Sequence, residues 1–156
     1  MITALLVMSL AFADEPSNIE AIRPFDGDMS VVVEVLSDPE KMAELLPERC
    51  GRVVSANEGR GKGASFRIVY TMALWKRRLD ADVTRATVEQ GIEWDHQGNR
   101  GFITRWRQAE VDGMPSLVVT TWMNPPPWPF KRYYFKTIKP RWELCYRQML
   151  DGLVSN

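Results

Sequence analysis

Histidine is almost missing from this chain of 156 residues: His96 is the only one. Cysteine is nearly as scarce, with Cys50 and Cys145 far apart in sequence. A zinc site built from His and Cys ligands therefore has no local spacing to support it. A Ser-His-Asp triad would have to use His96, and no Gly-x-Ser-x-Gly elbow accompanies it. No cofactor and no metal is expected. An excess of either charge is lacking too, because Lys plus Arg and Asp plus Glu number 20 each. That balance gives no reason to expect a nucleic-acid partner. No apolar run approaches the roughly 20 residues of a membrane-spanning helix. Internal repeats, low-complexity tracts and a second domain are also absent from the sequence.

The glycine run Glu58-Gly59-Arg60-Gly61-Lys62-Gly63 is no phosphate loop. Such a loop needs Ser or Thr after Gly-Lys and a helix to follow, and here Gly63 leads into a strand pattern. A hairpin turn is the expectation.

What is present begins with a charge-free stretch, residues 1–13, ending in Ala11-Phe12-Ala13 ahead of Asp14-Glu15-Pro16. This has the small-x-small ending of a secretory signal without its basic start. The expectation is export to the periplasm or beyond, leaving residues 14–156 as one domain; the alternative is a hydrophobic element packed on a cytoplasmic protein. Export would make a disulfide between Cys50 and Cys145 feasible, and two separate buried thiols is the other possibility.

Hydrophobic residues make up 45 % and charged residues 26 %, a soluble globular balance, and six Trp, six Phe and four Tyr add much aromatic surface. Residues 18–23 form a short candidate strand. Asp28 and Ser37-Asp38-Pro39-Glu40 read as starts of two short helices, residues 29–36 and 39–46. From residue 49 the period becomes two, with a strand expected at residues 52–57. Ala64, Phe66, Ile68, Tyr70, Met72 and Leu74 alternate with polar residues, and a turn is expected near Trp75-Lys76-Arg77-Arg78. Strands are expected at residues 79–88, 92–97, 102–108 and 117–123, joined by glycine turns into an antiparallel meander.

The C-terminal stretch follows a proline-aromatic run, Asn124-Pro125-Pro126-Pro127-Trp128-Pro129-Phe130. Phe130, Tyr134, Ile138, Trp142, Cys145, Met149 and Leu153 then trace one face of a helix. Pro140 interrupts it and predicts a kinked helix with its stripe in phase.

Strand, two short helices, antiparallel strands, a proline-rich loop and a long helix together resemble the helix-grip fold of the START/Bet v 1-like superfamily, often named polyketide cyclase/dehydrase and lipid-transport proteins. The residues carrying the likeness are Val33-Glu34-Val35-Leu36-Ser37-Asp38-Pro39-Glu40 with Leu46-Pro47, Ile92-Glu93-Trp94, the Gly98-Asn99-x-Gly101 turn, Trp106, and Asn124-Pro125-Pro126-Pro127. The resemblance implies an α+β fold, a curved antiparallel sheet of six to seven strands around a long C-terminal helix. It also implies a cavity between them for a lipid, sterol, polyketide or other apolar small molecule.

Tyr70, Trp94, His96, Trp106, Tyr134 and Ile138 are the candidate cavity lining, each with plain core as its alternative. His96 could serve as a base in the cavity or simply end a strand. Trp75, Lys76, Arg77 and Trp128 join aromatics to cations and are candidates for transient membrane contact. Three functions stay open: a non-catalytic binder or carrier of a hydrophobic small molecule, a cyclase- or aromatase-like enzyme, and a protein-interaction module.

Overall fold

The computed structural model describes residues 19–72, 75–97, 101–124 and 129–155. The expected leader, the Gly98-Asn99 turn and Trp128 lie outside these residues, as does the side chain of Trp75.

Seven strands form one antiparallel sheet: β1 Ile19–Pro24, β2 Gly51–Ala56, β3 Ser65–Met72, β4 Trp75–Thr87, β5 Gly91–Gln97, β6 Phe102–Val111 and β7 Met114–Trp122. Two short helices, α1 Met29–Ser37 and α2 Pro39–Leu45, follow β1. Their starts are set by side chains. The Asp28 carboxylate accepts from Ser30 N at 2.8 Å, and that of Asp38 accepts from Glu40 N at 2.9 Å, satisfying donors a helix end leaves open. The β-branched run Val31-Val32-Val33 is held helical because Met29, Val32 and Leu36 share a buried face.

The strand order is β1-β7-β6-β5-β4-β3-β2. All neighbours from β2 to β7 are consecutive hairpins, and only β1 crosses to pair with the last strand, Ile19 opposite Thr121. Two expected boundaries move. Trp75 already pairs with Met72 and Arg77 with Tyr70, so the segment expected as a turn is strand. At the other end of the sheet, Asp112 (φ 52°) and Gly113 (φ 76°) make a two-residue turn. Both central residues left-handed is the hairpin geometry that matches strand twist, so Met114 already faces Val111 and β7 begins there.

The C-terminal segment comprises α3 Lys131–Tyr133, a π-helical turn Tyr134–Ile138, and α4 Lys139–Val154. The expected irregularity at Pro140 takes this form. Pro140 has no N–H, and its ring would crowd the carbonyl one α-turn back. Immediately before it the ladder widens, with Lys139 N–H donating to Tyr134 O. Tyr134, Trp142, Cys145, Met149 and Leu153 are buried as the stripe predicts, Ile138 is half-buried, and Phe130 turns outward with 55 % of its surface exposed.

Cys50, just before β2, and Cys145 on α4 are joined as a disulfide with Cα atoms 5.8 Å apart. Of the two possibilities open in the sequence, the cross-link is the one formed. It ties the start of β2 to the middle of the long helix.

Candidate functional site

Alternation along each strand decides which side chains face the helix. Phe66, Ile68 and Tyr70 of β3, Leu79, Ala81 and Val83 of β4, and Ile92, Trp94 and His96 of β5 are all buried. Phe102, Thr104 and Trp106 of β6 continue the face, and Val119 and Thr121 of β7 lie opposite Trp106 and Thr104. Against β1 the backbone of α4 approaches closely. Over the central strands, large rings bridge the distance. Trp142 stands 4.6 Å from the Tyr70 ring and 5.5 Å from that of Phe102, and Tyr146 is 5.6 Å from Trp106. Trp94 then lies 5.5 Å beyond Trp106 and 6.1 Å from His96. An aromatic layer thus lines the interface between sheet and helix.

Polar groups are set into this layer. Tyr70 Oη lies 2.9 Å from His96 Nε2, and His96 Nδ1 lies 3.3 Å from Phe102 O. A carbonyl only accepts, so Nδ1 carries the hydrogen and Nε2 accepts from the Tyr70 hydroxyl. Burial, together with the nearby Arg77 charge, lowers His96 to a pKa of about 3, against the weaker opposing effect of the Phe102 carbonyl. Burial likewise pushes Tyr70 well above its ordinary value. A second group joins Thr121 Oγ1 to Tyr146 Oη at 2.6 Å and to Thr104 Oγ1 at 2.9 Å. Burial raises Tyr146 to about 12. Trp94 Nε1 donates to Leu36 O at 3.1 Å, which fixes α1 over the sheet.

Two buried donors on this interface, Trp106 Nε1 and Tyr134 Oη, have no hydrogen-bond partner among the described residues. Among the described residues, no three His, Cys, Asp or Glu side chains gather as a metal site.

The residues singled out from the sequence separate into two sets. Tyr70, Trp94, His96 and Trp106 converge on one connected inner surface, and Tyr134 joins the same core from the π turn. Ile138 packs at its margin. Of the surface set, Lys76 is exposed, while Arg77 alternates inward beside Leu79, its guanidinium carbon 5.9 Å from the centre of the Phe102 ring. The sequence reading did not pick out Tyr146, although it sits at the centre of the layer. It follows Cys145 on the flank of the apolar stripe, where a tyrosine looks like any boundary residue. Thr104 shares a strand face with Phe102 and Trp106, which says only that it points inward.

At the other end of the molecule, where β1 ends and β7 begins, a groove of about 570 Å³ is lined by Pro24, Phe25, Val31, Met114, Leu153 and Val154 among others. Leu153 and neighbouring Val32 belong to the core, so the floor of the groove is the end of the sheet–helix interface. Glu34, Arg67 and Arg105 lie away from this interior, paired with Lys41, Asp80 and Glu93 respectively.

No protein-family model matches the chain, and no curated protein matches its sequence. Solved structures do match in shape. The KanY protein aligns with a TM-score of 0.64 at 16 % identity, covering 87 % of this chain and 93 % of its own. TTHA0849 from Thermus thermophilus aligns at 0.63 and 17 % identity, covering 88 % and 94 %. Ara h 8.0201 aligns at 0.54 and 11 % identity, covering 88 % and 97 %. These likenesses establish the fold: the chain has the helix-grip fold of START/Bet v 1-like proteins, a curved antiparallel sheet against a long C-terminal helix.

Proposed function

We propose that this protein is an exported binder or carrier of a hydrophobic small molecule, held between the inner face of the sheet and the C-terminal helix. The observation that carries the proposal is the composition of that interface. Aromatic rings cover it, and Trp106 Nε1 and Tyr134 Oη are buried there without a partner among the described residues. A buried donor left unpaired costs roughly 1–3 kcal/mol. A ligand with an apolar body and one or two acceptor oxygens, such as a lipid, sterol or polyketide, would satisfy both features. The groove over Val32 and Leu153 lies at one end of the same interface. The fold is compatible with this function, although fold alone does not assign one.

Export is supported by the charge-free N-terminal stretch and by the Cys50–Cys145 disulfide, since such bonds persist in oxidising compartments. The cyclase-like alternative would rest on Tyr70 and His96. With His96 neutral down to about pH 3 and Tyr70 protonated well above pH 10, the pair positions hydrogen bonds rather than moving protons near neutral pH.

Native mass spectrometry of the protein purified from its own host tests the proposal. A co-purifying apolar molecule of defined mass, displaced by a saturating hydrophobic probe with a change in tryptophan fluorescence, is the expected result. An empty protein that takes up no probe would overturn it.

A further inference from the structure

We propose that the solvent face formed by α3, the π turn and the start of α4 is a docking surface for an anionic lipid membrane. Residues 129–142 contain Lys131, Arg132, Lys136, Lys139 and Arg141 and no Asp or Glu, in a protein whose overall net charge is zero. Lys139 lies 3.8 Å from Glu143. Among the described residues, no ion pair engages Lys131, Arg132, Lys136 or Arg141, and all four are exposed. The same face presents three aromatic side chains to solvent: Phe130 at 55 %, Tyr133 at 38 % and Phe135 at 43 % exposure.

The π turn makes this arrangement. It points Tyr134 into the core, at 2 % exposure, and leaves Phe135 standing edge-on against the Tyr134 ring, 5.2 Å between centroids, with its far side in solvent. Phe130, at the cap position just before α3, is left exposed. Three rings on a folded surface form a patch that folding alone does not explain. The sheet topology brings further positive charge to the same end. The β3–β4 hairpin closes there, with Lys76 and Arg78 exposed, and Trp142 of α4 packs on Tyr70 beside that hairpin.

Rings interleaved with unpaired cations match the interfacial zone of a bilayer. Aromatic side chains sit at headgroup depth, while Lys and Arg meet anionic headgroups. A soluble polyanion would use the charges and leave the rings without a role. The docking surface is separate from the interior and does not depend on what ligand, if any, the interior holds.

Co-sedimentation with vesicles of phosphatidylglycerol and phosphatidylcholine, compared with vesicles of phosphatidylcholine alone, tests the proposal. Binding to the anionic vesicles that weakens as salt is raised is expected. Replacing three charges together (Lys131→Gln, Arg132→Gln, Lys136→Gln) should weaken partitioning about 100-fold. Replacing two rings with the charges intact (Phe130→Ser, Phe135→Ser) should weaken it at least about 10-fold. All five side chains are on the surface, so circular dichroism and the thermal midpoint of both variants should match the parent. The proposal fails if the parent ignores anionic vesicles, or if the charge variant binds them as well as the parent does. It fails equally if the ring variant keeps full binding, which would mark the segment as a general polyanion contact that an oligonucleotide occupies just as well.

Discussion

The hydroxyl of Tyr70 and Nε2 of His96 stand 2.9 Å apart across a strand that belongs to neither. Tyr70 is on β3 opposite Arg77 of β4, and His96 is on β5 opposite Ala81 of β4. The bond ties three strands of the sheet on the side facing the helix.

Its consequence is a dependence on pH with a definite sign. Folded His96 binds its proton only near pH 3, whereas an unfolded histidine binds it near 6.5. Between those values the unfolded chain holds the extra proton, so stability falls as pH drops from 6.5 toward 3, by on the order of a few kcal/mol. Denaturant titrations across that range should show the loss. His96→Gln should be less stable than the parent at pH 7 and show a flatter pH profile below 6.5.

The cross-link between Cys50 and Cys145 closes a loop spanning a sequence separation of 95. Loops of that size give stabilisation of about 2–5 kcal/mol. Reducing the protein, or replacing both cysteines with alanine, should lower stability by that amount in guanidinium titrations. Added reductant should have no further effect on the double variant.

Gly91 opens β5 with φ of +78°, and a Cβ built there would lie 2.0 Å from the backbone oxygen of Trp106. Backbone oxygen cannot swing aside as a side chain can. Gly91→Ala should therefore cost about 3 kcal/mol or more and separate β5 from β6 locally. Faster amide exchange at residues 91–94 than in the remainder of the sheet would report it.

Tyr146 Oη and the hydroxyls of Thr104 and Thr121 form a closed group of three. Removing the phenolic oxygen with Tyr146→Phe leaves the two threonines bonded to each other and should cost only about 1 kcal/mol. Thr121→Val removes the two shorter bonds of the group, leaves only the 3.3 Å contact between Thr104 and Tyr146, and should cost more, up to about 3 kcal/mol. Chemical denaturation of the two variants distinguishes these outcomes, and equal losses would contradict the geometry.

The sheet is legible in the sequence because alternation is a strong local signal. Phe66, Ile68, Tyr70, Trp94 and Trp106 fall on one side by their spacing, and all five are buried. The hairpin before β4 is misplaced by the same kind of reading. Lys76, Arg77 and Arg78 look like a polar turn, but Arg77 follows the same alternation and sets its guanidinium over the Phe102 ring. The π turn is visible only as an interruption. Pro140 announces that an α ladder cannot run through it, and nothing in the sequence says whether the chain will kink, stop or widen. The role of Tyr146 depends on two threonines from strands far away in sequence, and no local pattern records such a meeting. The disulfide is one of two open possibilities in the sequence because distance between Cα atoms is a property of the fold.

The first strand is paired with the last. Among the described residues, Ile19 to Pro24 find their only sheet neighbour in β7, about a hundred residues downstream. While the chain is being made, β2 to β6 can each zip onto the strand just before or after them, yet β1 has nothing to bind until β7 exists. Its backbone donors and acceptors, and the core-facing Ile19 and Ala21, stay open for most of synthesis. Closure of the sheet is thus the most non-local step in forming it and the natural candidate for its slowest. A chain halted before residue 114 would carry a complete hairpin stack and an orphan strand at its beginning, the kind of fragment that pairs with its neighbours instead of with itself.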